Sequence, residues 1–253
     1  KGSVGSYAGA GAGAGGARAR VTVTHGRLLR VRLGQQEQQP RQELEQPDLP
    51  ARPPARGGPQ VVCADWVRVQ RDTRHDEWHV LAVEPRSSAL YRSNAHGGGE
   101  LIAANVSLLV VVVAPLPQPD FFIVDRYLAA ARCAGISACV LLNKCVLPGG
   151  AEIDGARDAL AAAGHDVMRT SATQRTGLPA LRAALAAHTA MLVGQSGTGK
   201  SSLLDALVPH AGAAIGTLAR EHEGRHTTTT TRLYSLPQGG ELLDSPGVRD
   251  FAP

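Results

Sequence analysis

The chain has 253 residues, 43% hydrophobic and 19% charged, which is enough apolar material to bury a core and excludes wholesale disorder. Twenty-six Lys and Arg against 22 Asp and Glu leave a formal charge of +4. That balance excludes an acidic tail protein and permits a nucleic-acid partner without requiring one. The longest apolar run, Val106 to Ala114, is broken by Ser107 and falls short of the ~20 residues of a membrane span.

In chain order, Gly2 to Gly16 is almost entirely Gly, Ala and Ser, so residues 1–18 are expected to be flexible. No leucine-rich signal segment is present, and the missing initiator Met is read as a processed or incomplete N-terminus. Val21 and Val23, then Leu29, Val31 and Leu33, alternate around a His25-Gly26 turn and predict a β-hairpin. Gln35 to Gln60 is rich in Gln, Pro and Arg and reads as a long loop with at most one weak strand. Val61-Val62, Val67-Arg68-Val69, Val80 and Val83 restore a period of two, so 19–85 is expected to be a small β-barrel or open sheet. After Glu84-Pro85 the pattern changes, and a second domain is expected over 86–253. Ser107 to Val113 is a continuous β-branched run, the mark of a strand buried on both faces. Helices are predicted over 125–133, 156–163, 179–187 and 201–207, alternating with strands at 138–142, 166–168 and 190–193. A closing hairpin is predicted from Arg232 to Leu236 and Glu241 to Leu243. Strands alternating with helices imply an α/β sheet covered on both faces. Four cysteines, Cys63, Cys133, Cys139 and Cys145, form no CxxC pair, so a reducing cytoplasm is the expected setting.

The strongest motif is Gly194-Gln195-Ser196-Gly197-Thr198-Gly199-Lys200-Ser201, which fits G-x-x-x-x-G-K-[ST] between a predicted strand and a helix opening at Ser202. Glycines let the backbone turn its N–H groups toward phosphate oxygens at a helix N-terminus. Lys200 is placed to reach the β- and γ-phosphates and Ser201 to ligate Mg²⁺. The bland alternative is a glycine-rich turn carrying a chance lysine. Downstream, Gly224-Arg225-His226 precedes five threonines, Thr227 to Thr231, one of which, Thr228 or Thr229, could complete the Mg²⁺ shell. Taken alone, the same run reads first as the start of a β-strand. Asp244-Ser245-Pro246-Gly247 follows a strand, so Asp244 could hold Mg²⁺ through water and the Gly247 N–H could sense the γ-phosphate. Asn143-Lys144 and Ser171-Ala172, candidate base-recognition loops, lie upstream of the phosphate loop, which implies a circularly permuted nucleotide domain.

On these residues the chain resembles the RsgA family, circularly permuted GTPases with an N-terminal OB-fold. The likeness also covers Val21-Thr22-Val23, Ile102-Ala103-Ala104-Asn105-Val106, Pro119-Asp120, Asp125-Arg126-Tyr127-Leu128, Gly224 to Thr229 and Asp244 to Arg249. The resemblance implies an α/β circularly permuted P-loop GTPase domain preceded by an all-β OB-fold. It further implies Mg²⁺-dependent GTP hydrolysis in late maturation of the small ribosomal subunit, with contacts to its rRNA, by a monomer that needs no membrane.

Three departures stand out. The family reads Asn-Lys-x-Asp, whereas Asn143-Lys144-Cys145-Val146 ends in valine. Losing two charge-assisted bonds to the guanine edge, at about 1.5–3 kcal/mol each, would weaken guanine preference by about two to four decades. Asp154 lies too far along to substitute. The family also continues into a zinc-binding domain, and Zn²⁺ has no such ligands in this sequence, which stops at Pro253. Residues 35–60 match poorly, so an irregular barrel is expected.

The water-orienting glutamine of many GTPases is replaced here by Val248, leaving His226 as the candidate to position water and Lys200 to stabilise charge. Arg18, Arg20, Arg27, Arg30 and Arg32 cluster on the first hairpin, with Trp66 and Trp78 as candidate stacking groups. Alone they read equally well as a solvated face with core tryptophans; the resemblance favours rRNA contact. A non-catalytic RNA-binding assembly factor with a decayed nucleotide site is the rival from another class, and an ATPase with relaxed base choice is a third reading.

Overall fold

The computed structural model describes residues 16–26, 28–34, 47–54, 57–75, 77–93, 99–147, 150–208 and 230–244. Period-two segments in the first third form β1 (Ala17–His25), β2 (Leu28–Leu33), β3 (Leu49–Arg52), β4 (Trp66–Asp72) and β5 (Glu77–Val83). Strand β1 pairs with both β2 and β4, β2 with β3, β3 with β5 and β5 with β4, which closes a five-stranded barrel. Only β3–β5 is parallel. The interior is filled by Ala19, Val21, Leu29, Val31, Val67, Val69 and Val80, the inward members of each alternation. The stretch read as a long loop with at most one weak strand contributes one four-residue strand, β3, which carries Pro50. Residues 1–15 and 35–46 lie outside the described residues.

A two-stranded sheet, β6 (Ala89–Ser93) and β7 (Gly99–Ala104), follows the barrel and was not foreseen at the start of the domain expected over 86–253. Beyond it come β8 (Leu108–Val113), α1 (Phe121–Cys133), β9 (Ser137–Leu142), α2 (Gly150–Ala162) and β10 (Asp166–Arg169). They are followed by α3 (Leu178–Leu185), β11 (Thr189–Val193), α4 (Lys200–Leu207), β12 (Thr231–Ser235) and β13 (Glu241–Asp244). Strands β10, β9, β8, β11 and β13 are parallel in that order, and β12 is antiparallel beyond β13. Every β8 residue is buried because its two faces meet different cores. Leu109, Val111 and Val113 face Val124, Tyr127 and Leu128 of α1, whereas Leu108, Val110 and Val112 face Leu181 of α3 and Leu203 of α4. Helix α1 starts at Phe121, four residues before the expected Asp125. Its cap explains why: the Asp120 carboxylate accepts from the Phe122 and Ile123 amides.

The barrel and the α/β sheet share an edge. Strand β1 pairs antiparallel with β12, at Val23 with Arg232 and Thr24 with Thr231. Arg20 and Thr22 are buried on this seam, which is why β1 is covered on both faces over its middle. Among the described residues no helix is long and apolar enough to cross a membrane.

Candidate functional site

The loop from β11 to α4 is shaped by its glycines. Gly194, Gly197 and Gly199 have φ values of 137°, 83° and 94°. A Cβ at Gly194 would run into the Val112 carbonyl, and one at Gly199 into the Asn143 amide. Side chains rarely adopt these backbone angles, so glycine is required at both. Thr198, 2% exposed, closes the turn by donating its hydroxyl to the Gln195 carbonyl at 2.9 Å. Lys200 Nζ donates to the Gly194 and Gln195 carbonyls at 2.7 and 2.8 Å, which folds the ammonium over the concave side of the loop. Helix α4 begins here with no side-chain cap and no acidic residue in its first turn. Uncapped N–H groups, a lysine at the rim and the hydroxyls of Ser201 and Ser202 on the exposed first turn form an anion-binding arrangement. Ser196, at the loop's apex, is exposed.

The base-recognition candidates converge on this loop although Asn143 precedes Gly194 by 51 residues and Ser171 by 23. Asn143, 1% exposed, donates Nδ2 to the Thr198 carbonyl at 2.8 Å and accepts at Oδ1 from the Ala172 amide at 3.3 Å. One amide therefore ties the end of β9, the loop after β10 and the phosphate loop together. Lys144 donates to the Leu116 and Gly197 carbonyls at 2.9 and 2.7 Å, laying its stem across the same loop. The Cys145 amide donates to the Thr170 carbonyl at 3.2 Å. Ser171 is buried and bridges to Thr176. An open groove of about 310 Å³ runs between Ala172, Thr173 and Arg175 on one side and Ser202, Asp205 and Ala206 of α4 on the other. Val146 stands 43% exposed where the family carries a carboxylate. Asp154 does not replace it: its carboxylate lies 3.4 Å from Arg157 and 3.3 Å from Arg169.

Asp244 ends β13. Burial raises its carboxyl above the ordinary carboxylate range; Lys200 opposes the shift and Asp205 reinforces it. Asp205 was not singled out from the sequence, although it sits one helical turn after Ser201, a spacing that puts both on one face of α4. Thr231 opens β12, so the strand reading of the threonine run holds for that residue. His226, Thr228, Thr229, Gly247 and Val248 lie outside the described residues. The site thus offers phosphate and Mg²⁺ a loop with backbone donors, a lysine, a helix-start hydroxyl and a nearby carboxylate, which fits a hard cation shared with phosphate oxygens. Among the described residues no group of three His, Cys, Asp or Glu side chains is placed to hold a metal ion.

The barrel's arginines are mostly bound to the protein itself. Arg18 and Arg68 pair with Glu84 at 2.9 and 3.0 Å, and Arg32 with Asp48 at 2.9 Å. Arg20 pairs with Glu241 at 2.6 Å. Trp66 lies beneath the Arg18 and Arg20 guanidinium groups, 4.0 and 4.8 Å from its ring centre. Trp78 packs on the barrel core. Both tryptophans are partly buried and have partners within the protein; Arg27 lies outside the described residues.

A family model described as RsgA GTPase matches residues 83–252. The small ribosomal subunit biogenesis GTPase RsgA of Alcanivorax borkumensis is 42% identical over 196 residues, covering 76% of this chain and 56% of that protein. Its namesake from Azotobacter vinelandii is 45% identical over 199 residues, covering 77% and 57%. The chain spans about half the length of the curated relatives it matches. Among solved structures, YjeQ from Thermotoga maritima superposes with a TM-score of 0.69 at 21% identity, covering 92% of this chain and 75% of that one. YloQ, described as a circularly permuted GTPase, gives 0.64 at 19%, covering 96% and 76%.

Proposed function

The chain belongs to the RsgA GTPase family, and from that premise we propose that it is a Mg²⁺-dependent GTP hydrolase that assists maturation of the small ribosomal subunit. In this reading 19–85 is the rRNA-contacting barrel and 86–253 the nucleotide domain of a cytoplasmic monomer. The observation that carries the proposal is the Asn143 tie, which draws the upstream base loops onto the downstream phosphate loop, as a permuted nucleotide site requires.

Lys200 would exchange its two carbonyl partners for β- and γ-phosphate oxygens. Gly194 to Ser201 would supply backbone donors, and Ser202 would line the groove near the α-phosphate. Ser201, Asp244 and one of Thr228 or Thr229 would hold Mg²⁺, which when bound neutralises charge on the phosphates. The Gly247 N–H would report the γ-phosphate, and His226 would orient the attacking water. Asn143, Lys144, Ser171 and Ala172 would frame the base, with Cys145 and Val146 at its far edge. Phosphate release from GTP tests this. It should be slow in the wild type, absent in Lys200→Ala and on the order of 10²-fold slower in His226→Ala, with nucleotide binding kept in the last. Wild-type release no faster than Lys200→Ala would overturn the enzyme reading. A non-catalytic assembly factor is the second reading, and Val146 is the observation that favours it.

A further inference from the structure

The two segments proposed to sense the γ-phosphate leave the same end of one hairpin. Strands β12 and β13 pair antiparallel, with Ser235 opposite Glu241 at the turn end and Arg232 opposite Asp244 at the open end. By sequence, the threonine run enters at that open end and Asp244-Ser245-Pro246-Gly247 departs from it. Strand β13 is set in register by its parallel pairing with β11, Glu241 opposite Thr189, Leu242 opposite Ala190 and Leu243 opposite Met191, and a one-residue slip would turn Asp244 to the opposite face.

The barrel adds side-chain and backbone contacts at both ends of the hairpin. At the turn end, the Arg20 guanidinium, 5% exposed, donates to Glu241 Oε2 at 2.6 Å, to Thr189 Oγ1 at 2.9 Å and to the Ala64 carbonyl at 2.5 Å. Arg32 donates to the Ser235 hydroxyl at 2.5 Å. At the open end, Val23 and Thr24 of β1 pair with Arg232 and Thr231. One residue further, His25 Nδ1 and Thr230 Oγ1 share a 2.7 Å hydrogen bond. Thr230 directly follows Thr229. The barrel therefore grips the hairpin at both ends, and at the open end it does so on the residue adjoining the candidate Mg²⁺-binding threonines.

We propose that barrel strand β1 is a positioning element of the nucleotide site, with His25 fixing the point from which the threonine segment departs. This rests on the GTPase reading above. The loop and Lys200 would bind the diphosphate without help from His25, whereas contacts to the γ-phosphate would depend on it. By linkage, whatever displaces the tip of the β1–β2 hairpin would change the preference for GTP over GDP, and bound GTP would in turn steady that tip.

The test compares the full chain with His25→Ala and with His25→Asn, whose amide can restore a bond near the Nδ1 position. Loss of one side-chain hydrogen bond should lower affinity for a non-hydrolysable GTP analogue by about two- to tenfold in His25→Ala, with GDP affinity unchanged and His25→Asn close to wild type. In nucleotide-free protein, amide exchange over 231–235 and 241–244 should quicken in His25→Ala alone. Equal losses for both nucleotides would make His25 merely structural and overturn the proposal, as would unaltered exchange. If the wild type binds neither nucleotide, the GTPase reading falls separately, and exchange alone decides whether β1 anchors the hairpin.

Discussion

The two ends of the candidate nucleotide site are built on different principles. The phosphate end rests on backbone: three glycines at positive φ, a buried threonine closing the turn and an uncapped helix start. The base end rests on single side chains, and one of them, Val146, cannot accept a hydrogen bond. A backbone-built subsite survives most sequence drift because its N–H groups belong to any residue. A subsite built from one carboxylate disappears with one substitution. The comparison therefore separates nucleotide binding from nucleotide choice within a single groove.

The largest expected effect breaks the phosphate end. Gly194→Ala would press a Cβ against the Val112 carbonyl at a φ that side chains rarely adopt, so the loop must rearrange. GTP and ATP analogues should both lose detectable binding by calorimetry, while the barrel and its melting signal persist. Retained binding would show that the loop geometry is not what holds phosphate. A smaller effect probes the link between the two ends. Asn143→Ala removes one buried donor and one acceptor and leaves the Thr198 carbonyl and Ala172 amide without that partner. At about 1–3 kcal/mol for stranded buried groups, affinity for GTP and ATP should fall together by roughly five- to 150-fold. A loss confined to GTP would mean that Asn143 reads the base and does not tie the loops.

The smallest effect concerns Asp244. Because burial raises its folded-state carboxyl pKa, the ionised form is disfavoured by folding at neutral pH. Asp244→Asn should therefore raise the melting temperature of the nucleotide-free protein slightly at pH 7 while weakening Mg²⁺-dependent binding. The gain should shrink as pH falls through the titration of the folded carboxyl, because the wild type then protonates. A gain that persists at low pH would assign it to packing.

Legibility in the sequence followed the range of the interactions. The inward valines of the barrel and the two-faced run of β8 were readable because alternation and continuity are local patterns. Strand β3 was legible only as one weak strand in a Gln- and Pro-rich stretch, and β6–β7 were hidden by short segments that mix Ala, Arg and Gly with their apolar residues. The phosphate loop was readable as a motif. The ion pairs that occupy the barrel arginines were not, since Arg18 meets Glu84 and Arg20 meets Glu241, 66 and 221 residues away. The roles of Asp205 and His25 likewise depend on neighbours from distant segments.

The measurement that bears most directly on the contrast between the two ends is Mg²⁺-dependent affinity for GTP and ATP analogues, in the wild type and in Val146→Asp. An intact phosphate end with a broken base end should give a wild type that binds both nucleotides within about one decade, and a variant that separates them by about two to four decades. A wild type that already selects GTP strongly, or a variant that selects no better, would contradict it.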